Sequence, residues 1–239
     1  MESTTIIVLI AGLLMLIAEK LVPRSQFSKP KGWWPRTGLL NLSQAAIVFV
    51  AGTYCDPIIQ QLALFDLSTY SQSIQIAAGY LLITFVYYWW HRARHQNSFL
   101  WRTLHQIHHS TTSLEVAASF YKHPLEMFLN SLLSSFILYT ILGLSVEAAT
   151  SAVLVTGLAE LVYHWNIKTP YWLGFIFQRP ESHCVHHAEG HHKDNYSDLP
   201  LWDILFNTFN NPRISTNQCG YKNDGTSAFK LMLRFKRVF

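Results

Sequence analysis

Five apolar stretches, each close to the length of a membrane-crossing helix, constrain this chain more than any other feature. About 20 apolar residues cross the hydrocarbon core of a bilayer, and the stretches lie at residues 4–22, 38–55, 73–90, 125–144 and 145–163. Only 13% of the residues are charged, whereas soluble domains carry about 25%. The pattern excludes an ordinary soluble enzyme and predicts an all-α integral membrane protein with four to five transmembrane helices.

The ends of these stretches carry further information. The last two are separated only by Gly143, Leu144 and Ser145, which predicts a tight hairpin. The first stretch lacks the basic segment and the small-residue cleavage site of a signal peptide, so we expect it to be retained as an anchor.

The basic residues predict the orientation of these spans. The chain has 18 Lys and Arg, and in a five-span arrangement all of them lie on one side of the membrane. Neither the segment 56–72 nor the turn at 143–145 contains one. Because cytoplasmic loops are enriched in Lys and Arg, we expect the N terminus outside and the C terminus in the cytoplasm. In a four-span arrangement the N terminus would lie on the opposite side of the membrane, in the cytoplasm.

Histidine is the second unusual feature, since the chain contains 12 and most of them fall into clusters. His91 and His95 follow directly on the third apolar stretch and are predicted to lie on a continuation of its helix. Residues four apart share one helix face, so both imidazoles can reach one metal ion, or each can reach one of a pair. Two HxxHH motifs follow, formed by His105, His108 and His109 and by His183, His186 and His187.

These clusters predict a dinuclear metal site. Neutral imidazole is a ligand for zinc, copper, iron and nickel. The three clusters supply more imidazoles than one tetrahedral or octahedral ion can bind, and they all lie on the predicted cytoplasmic side. We therefore expect a cytoplasmic helical cap that holds two ions. For His123, His191 and His192, a ligand role and a solvated or interfacial role both stay open.

Two classes of function fit a histidine-rich membrane protein. A metal transporter, or a metal-binding protein without oxygenase activity, is one of them. A transporter needs polar or ionisable residues at mid-membrane, and the apolar stretches contain few. Sequence signatures of zinc proteases, serine hydrolases and phosphate-binding loops are absent, and no nucleic-acid footprint is present. The other class, a metal-dependent enzyme acting on a molecule held in the membrane, fits better.

Seven short pieces occur in a fixed order along the chain. They are HRARH (91–95), LHQIHHS (104–110), KHPLE (122–126), YHWN (163–166), RPESHCVHH (179–187), NYSD (195–198) and LWDILFNTF (201–209). In these pieces the chain resembles the fatty acid hydroxylase/sterol desaturase superfamily of integral-membrane diiron enzymes, over about residues 80–210. The resemblance implies an oxygenase that hydroxylates or desaturates a C–H bond of a lipid, using O2 and two electrons from a donor.

The resemblance also implies the metal ligands. These are His91, His95, His105, His108, His109, His164, His183, His186 and His187. The implied cofactors are two iron ions, which zinc can replace in purified protein, and no catalytic residue beyond the ligands is implied. Some relatives carry a further histidine four residues after the position of His164, where this chain has Lys168. The site could therefore use fewer ligands or recruit His191, His192 or Glu160.

The sequence also predicts the partners of the protein and the regions of the chain. There is no room for a cytochrome b5 domain beside the core, so we expect a separate electron-donor protein of the ferredoxin or cytochrome type. The substrate, a lipid or isoprenoid chain, is expected to enter from the bilayer between the third and fifth spans. Three regions are predicted: anchor helices over 1–72, a fatty acid hydroxylase-like catalytic domain over 73–210, and a basic amphipathic tail over 211–239.

Six polar side chains are candidates for orienting the imidazoles from outside. They are Glu115, Glu181, Glu189, Asp194, Asn195 and Asp198. Asp203 is expected instead to anchor the amphipathic segment 199–209, which suits the membrane interface.

Overall fold

A computed structural model describes residues 3–214, 218–221 and 228–238. Within these ranges every regular element is a helix, and the strand-like pairing is limited to an isolated bridge between Ala188 and Cys219. The all-α class predicted from the sequence is confirmed. Parts of the predicted basic tail, at 215–217, 222–227 and 239, lie outside the described residues.

Long helices form the framework, and short ones extend or connect them. The long helices are α1 (Ser3–Leu21), α2 (Trp33–Val50), α4 (Gln72–Gln96), α7 (Pro124–Ser135) and α8 (Val146–His164). The short helices are α3 (Asp56–Ile59), α5 (Ser98–Leu100), α6 (Gln106–His109), α9 (Pro180–His186), α10 (Pro200–Leu205) and α11 (Phe229–Met232). Turns of π-helix lie at Ala51–Cys55, Trp101–His105 and Phe136–Ile141, and turns of 3-10 helix at Gln60–Leu62, Val116–Ala118 and Tyr171–Phe175.

Three helical stretches are long and apolar enough to cross a membrane, namely Trp33–Leu62, Pro124–Ile141 and Val146–His164. They coincide with the second, fourth and fifth predicted spans and support a membrane protein. Helices α1 and α4 coincide with the first and third predicted spans, but in the described residues neither qualifies as a crossing helix. The number of spans, four or five, therefore stays a prediction.

The predicted hairpin between α7 and α8 is present, and it depends on Gly143. The Phe136–Ile141 turn of π-helix follows α7, and Ser145 caps the start of α8. Gly143 has a φ of 59°, and a Cβ atom there would lie 2.0 Å from the backbone oxygen of Phe65. Only glycine combines this backbone conformation with so close an approach of the neighbouring loop.

Helices α4 and α8 are in close contact through another glycine. A Cβ atom at Gly79 would lie 2.9 Å from the Leu138 side chain and 3.2 Å from that of Ala152. Ile83 and Ala148 are fully buried beside this contact and belong to the same apolar core. The two helices therefore form a tightly packed pair, and α4 runs on through both residues of its histidine pair, as predicted.

Proline begins three helices around the histidines. Pro124, Pro180 and Pro200 each occupy the first turn of their helix, where the missing N–H is not needed and the fixed φ is already helical. The end of the helix bundle that carries these histidines is called the histidine end below. A second apolar core, which includes Trp33, Tyr121 and Met232, packs at this end.

Candidate metal centre

Nine imidazoles from four chain segments meet at the histidine end, and they are the nine histidines implied by the resemblance. The first group has five members, whose ring nitrogens lie within 4.8 Å of one another: His91, His95, His105, His109 and His186. The second group has four members under the same limit: His108, His164, His183 and His187. The two groups adjoin each other, because the rings of His109 and His187 stack with centroids 4.2 Å apart.

Each HxxHH motif is divided between the groups. In the first motif the outer histidines belong to the first group, and the middle one, His108, belongs to the second. In α9 the division is reversed, and the middle His186 belongs to the first group. Helical spacing alone places all three histidines of a motif near one face, so this exchange is a finding of the structure.

The pair on α4 has the separation of two ligands on one ion. The Nε2 atoms of His91 and His95 lie 3.2 Å apart. Two nitrogens that bind a metal at right angles, each about 2.1 Å from it, lie about 3.0 Å apart. The pair can therefore share one ion as the sequence spacing allows.

Backbone carbonyl groups hold several rings from outside. A carbonyl oxygen only accepts, so the ring nitrogen facing it carries the proton. Three rings donate from Nδ1 in this way: His91 to Tyr196 at 2.8 Å, His186 to Asp194 at 2.7 Å and His164 to Glu160 at 2.9 Å. Each of these rings keeps Nε2 as the lone-pair nitrogen directed into the centre. This is the tautomer that a metal ligand needs.

A carboxylate holds one further ring, and sequence reasoning assigned it no such role. Glu126 is fully buried in the first turn of α7. Its Oε1 accepts from His105 Nδ1 at 2.9 Å and from the guanidinium of Arg94. The signal that could have revealed it is the KHPLE piece, where Glu126 follows the capping His123 and Pro124.

Of the six candidate side chains, that of Asp194 is the one bonded to a histidine in the described part of the chain, but this histidine is His191, which lies outside both groups. His186 bonds to the backbone carbonyl of Asp194 and not to its carboxylate. Glu115 accepts instead from Trp33 Nε1 at 3.1 Å and joins the start of α2 to the loop before residue 116. Glu181 accepts from the Thr169 hydroxyl at 2.6 Å. These two candidates do not orient imidazoles, because Trp33 at the start of α2 and Thr169 donate to their oxygens instead.

Asp203 has the anchoring role expected of it. Its carboxylate accepts from the backbone N–H groups of Tyr196 and Ser197 at 2.8 and 3.0 Å, and from the Thr208 hydroxyl at 2.7 Å. These bonds fix the segment whose Tyr196 carbonyl receives the His91 proton. Asp203 therefore acts on the first group through the backbone.

Unpartnered ring nitrogens test whether metal ions fit this centre. Buried nitrogens with no hydrogen-bond partner among the described residues are His105 Nε2, His108 Nδ1, His109 Nε2, His164 Nε2, His186 Nε2 and both nitrogens of His183 and His187. A buried polar group left unpaired costs about 1–3 kcal/mol, so such a concentration needs an occupant. Imidazole nitrogens suit iron, zinc and copper, and the residues fit two metal ions.

Burial keeps these imidazoles uncharged. Desolvation lowers the pKa of His108, His109 and His187 well below the usual 6.5, and neighbouring imidazoles lower it further. Desolvation also lowers the pKa of His186 to about 3, although its bond to the Asp194 carbonyl acts in the opposite direction. Metal binding requires deprotonated imidazole, so the rings are already in the ligating form at neutral pH.

Three histidines lie outside both groups. His123 caps α7, because its Nδ1 accepts from a backbone N–H of the first turn at 3.0 Å. His191 contacts the Asp194 carboxylate at 3.0 Å. The Nδ1 atoms of His192 and His109 lie 3.0 Å apart, so His192 contacts a member of the first group from outside. Glu160, the remaining candidate for recruitment, directs its carboxylate at Lys122.

A cavity of about 320 Å³ reaches both groups. His91 and His105 of the first group and His108 and His183 of the second line its histidine end. Val48 on α2 and Val153 on α8 also line the cavity and are 40% and 36% exposed. The cavity therefore opens between α2 and α8, and not between the third and fifth predicted spans, since α4 and α8 are in close contact at Gly79.

Known proteins of lipid and aldehyde metabolism are similar to this chain. The alkylglycerol monooxygenase of Homo sapiens is 29% identical over 140 residues, which cover 55% of this chain and 30% of that protein. The ornithine lipid hydroxylase of Rhizobium tropici is 31% identical over 168 residues, or 67% of this chain and 50% of that protein. A very-long-chain aldehyde decarbonylase of Oryza sativa subsp. indica is 28% identical over 141 residues, or 57% and 55%.

The chain thus spans between about a third and about half of the length of these relatives, and no solved structure matches it. The family model described as fatty acid hydroxylase matches residues 76–208, which is more than half of the chain and contains all nine clustered histidines. The chain therefore belongs to the fatty acid hydroxylase family, within the fatty acid hydroxylase/sterol desaturase superfamily.

Proposed function

We propose that this protein is a membrane-bound diiron oxygenase that hydroxylates, or desaturates, a C–H bond of a lipid with O2 and two electrons. The observation that carries the proposal is the pair of buried imidazole groups at one end of a cavity that opens between apolar helices. Relatives named for the oxidation of alkylglycerols and the hydroxylation of ornithine lipids support a lipid substrate.

In this proposal the nine histidines are the metal ligands, five for one ion and four for the other. Bound iron supplies the activation of dioxygen, which side chains alone do not perform. Zinc accepts the same imidazole ligands and can replace iron in purified protein.

The protein's own residues position the reacting parts. Oxygens of Tyr196, Asp194 and Glu126 accept hydrogen bonds from the outer ring nitrogens. These bonds fix the tautomers and ring directions, so that the remaining nitrogens are already aimed inward. The cavity presents a substrate carbon to the histidine end. Packing of α4 against α8 closes the other side of this cavity, which limits the access of water to the reaction.

The arrangement in the membrane is part of the proposal. In this arrangement four to five helices span the membrane, and both the cap with the histidines and the C terminus lie on the cytoplasmic side. Electrons arrive from a separate protein of the ferredoxin or cytochrome type. The regions 1–72, 73–210 and 211–239 stay as predicted. A thiol reagent should reach Cys55 only from outside the cell, and a reporter fused at the C terminus should be cytoplasmic. A cytoplasmic Cys55 would contradict the proposed second span.

Metal content and products test the function together. Protein produced with iron should contain close to two metal ions per chain, and one or none in folded protein would contradict the dinuclear centre. Lipids from cells with the wild-type protein should be compared by mass spectrometry with lipids from cells with His108→Ala. A gained oxygen atom indicates hydroxylation, and a loss of two hydrogen atoms indicates desaturation. Identical lipids in the two cultures would contradict the oxygenase.

Metal transport is the alternative, and polar residues such as Gln44 and Asn130 in the cavity wall are the observation in its favour. A transport site must bind its ion weakly enough to release it, whereas groups of five and four inward-facing imidazoles favour retention. Proteoliposomes distinguish the two functions. A transporter moves metal across the membrane and leaves lipids unchanged.

A further inference from the structure

The cavity extends far beyond the histidines. Along α8 its lining runs from Tyr163, at the histidine end, to Ala149 near the hairpin. Fourteen residues of helix correspond to roughly 21 Å, which is more than half of the ~30 Å hydrocarbon core. The cavity is therefore long enough for a chain that spans one leaflet.

The end of this cavity near the hairpin, which we call the far end, is polar. It is lined by Asp56, Ser135, Tyr139 and Thr150. The Ser135 hydroxyl donates to Asp56 Oδ1 at 2.6 Å. Asp56 is half-buried and follows directly on the second predicted span, so in the proposed topology its carboxylate lies near the outer face of the membrane.

The far end and the histidine end differ in charge. The lining cations in the described residues are Arg94 and Lys122, both at the histidine end and both paired with carboxylates, Glu126 and Glu160. The far end has the Asp56 carboxylate and hydroxyl groups but no lining cation among the described residues. The Asp56 carboxylate would repel a carboxylate or phosphate group of a ligand at the far end. The methyl end of a hydrocarbon chain would offer Asp56 no additional hydrogen-bond donor. A hydroxyl group can donate to Asp56 and accept from a neighbouring hydroxyl.

We propose that the far end of the cavity binds the hydroxyl group of a long-chain alcohol lipid, with the chain extending toward the histidines. This assignment gives the substrate class of the proposed oxygenase. The bound alcohol is a substrate only if the proposed oxygenase function holds. Asp56 and Ser135 are then specificity-determining residues, since they select the polar end of the substrate about one leaflet away from the oxidised carbon.

Binding of matched probes tests the assignment. Detergent-solubilised full-length protein, with and without metal, is equilibrated with radiolabelled hexadecanol, hexadecane or hexadecanoate. Hexadecanol should bind at least about tenfold more tightly than hexadecanoate, and more tightly than hexadecane. Equal or tighter binding of hexadecane or of hexadecanoate overturns the proposal.

Variants locate the site. Asp56→Asn keeps the shape of the side chain and removes its charge, so hexadecanol should bind about tenfold more weakly, hexadecane should be unaffected, and hexadecanoate should bind more tightly. The gain for hexadecanoate cannot come from misfolding. Ser43→Ala is the matched control, because Ser43 lies on α2 outside the cavity and bonds to the Leu39 carbonyl. Unchanged hexadecanol binding in Asp56→Asn, or a loss equal to that in Ser43→Ala, contradicts the assignment.

These measurements separate the two proposals. Binding to the metal-free protein does not depend on iron or turnover, so a preference for hexadecanol that Asp56→Asn removes supports the site even if no lipid is oxidised. Two bound irons and an oxidised lipid, together with no preference for the alcohol, support the oxygenase and overturn the hydroxyl site.

Discussion

The two imidazole groups differ in how they are held. In the first group, outer partners are Tyr196 for His91, Glu126 for His105, His192 for His109 and Asp194 for His186. In the second group Glu160 holds His164, whereas His183 and His187 have no partner for either nitrogen in the described chain. The first group is therefore held largely by bonds to its surroundings, whereas two rings of the second group have no such bonds among the described residues.

Removal of the middle histidine of each motif should have the largest effect. His186→Ala takes one ligand from the first group and His108→Ala one from the second, and each should lower turnover by at least about 100-fold. Because the first group keeps four rings, most of them held from outside, His186→Ala should retain more iron than His108→Ala. Elemental analysis of the purified variants measures this difference. Full activity with both metals in His108→Ala would remove His108 from the ligand set.

Glu126→Gln tests the outer support of the first group. Loss of the charge weakens the bond to His105 and leaves Arg94 buried without its counter-charge. We expect metal affinity to fall by about 10–100-fold and the free energy of unfolding to fall by about 3 kcal/mol. Metal titration and denaturant unfolding in detergent measure the two effects.

Glu115→Gln is the control for that variant. Glu115 is also buried and accepts from Trp33 Nε1, but it does not contact the imidazole groups in the described residues. Its loss should lower stability and leave metal affinity unchanged. An equal loss of metal affinity in Glu126→Gln and Glu115→Gln would contradict a specific effect of Glu126 on the metal centre.

Acid should act on both groups alike in the metal-free protein. Burial depresses the pKa of rings such as His109 and His187 below 6.5 in the folded state, so below that pH the unfolded chain binds more protons. Stability therefore falls as pH falls, by up to about 1.4 kcal/mol per ring for each pH unit below the unfolded pKa. Unfolding at about pH 7.5 and about pH 5.5 checks the sign, and greater stability at the lower pH would contradict neutral buried rings.

The smallest effect is expected outside both groups. His123→Ala removes a cap of α7, which costs about 0.5–2 kcal/mol, and should leave the iron content unchanged. Activity should be reduced but measurable. A loss of iron in this variant, measured beside the wild type, would place His123 in the metal centre.

Eight of the nine histidines could be predicted because their spacing is visible in the chain, and His164 was implied by the resemblance of the YHWN piece to the family. Their division between two groups could not, since helical periodicity treats His105, His108 and His109 as neighbours on one face. The segment Trp101–His105, which contains the first of these histidines, is a turn of π-helix and departs from the α-helical periodicity that the sequence prediction assumed.

The outer partners were harder to foresee for a different reason. Tyr196, Asp194 and Glu160 hold rings through backbone carbonyl oxygens, and every residue type offers one. Only the three-dimensional course of the chain selects among them. The apolar stretches predicted the three helices that are long and apolar enough to cross a membrane, and the short separation of the last two predicted the hairpin at Gly143. The cavity opening between α2 and α8 depends on packing that neither pattern encodes.

The interleaving of the two HxxHH motifs also sets an order of events during biosynthesis. The first group is complete only when His186 has been synthesised, and the second only when His187 has followed it. At about 5–20 residues per second, a ribosome needs on the order of 5–20 s to travel from His91 to this point. Both groups thus acquire their last imidazole one residue apart, so the two groups are completed almost together during synthesis.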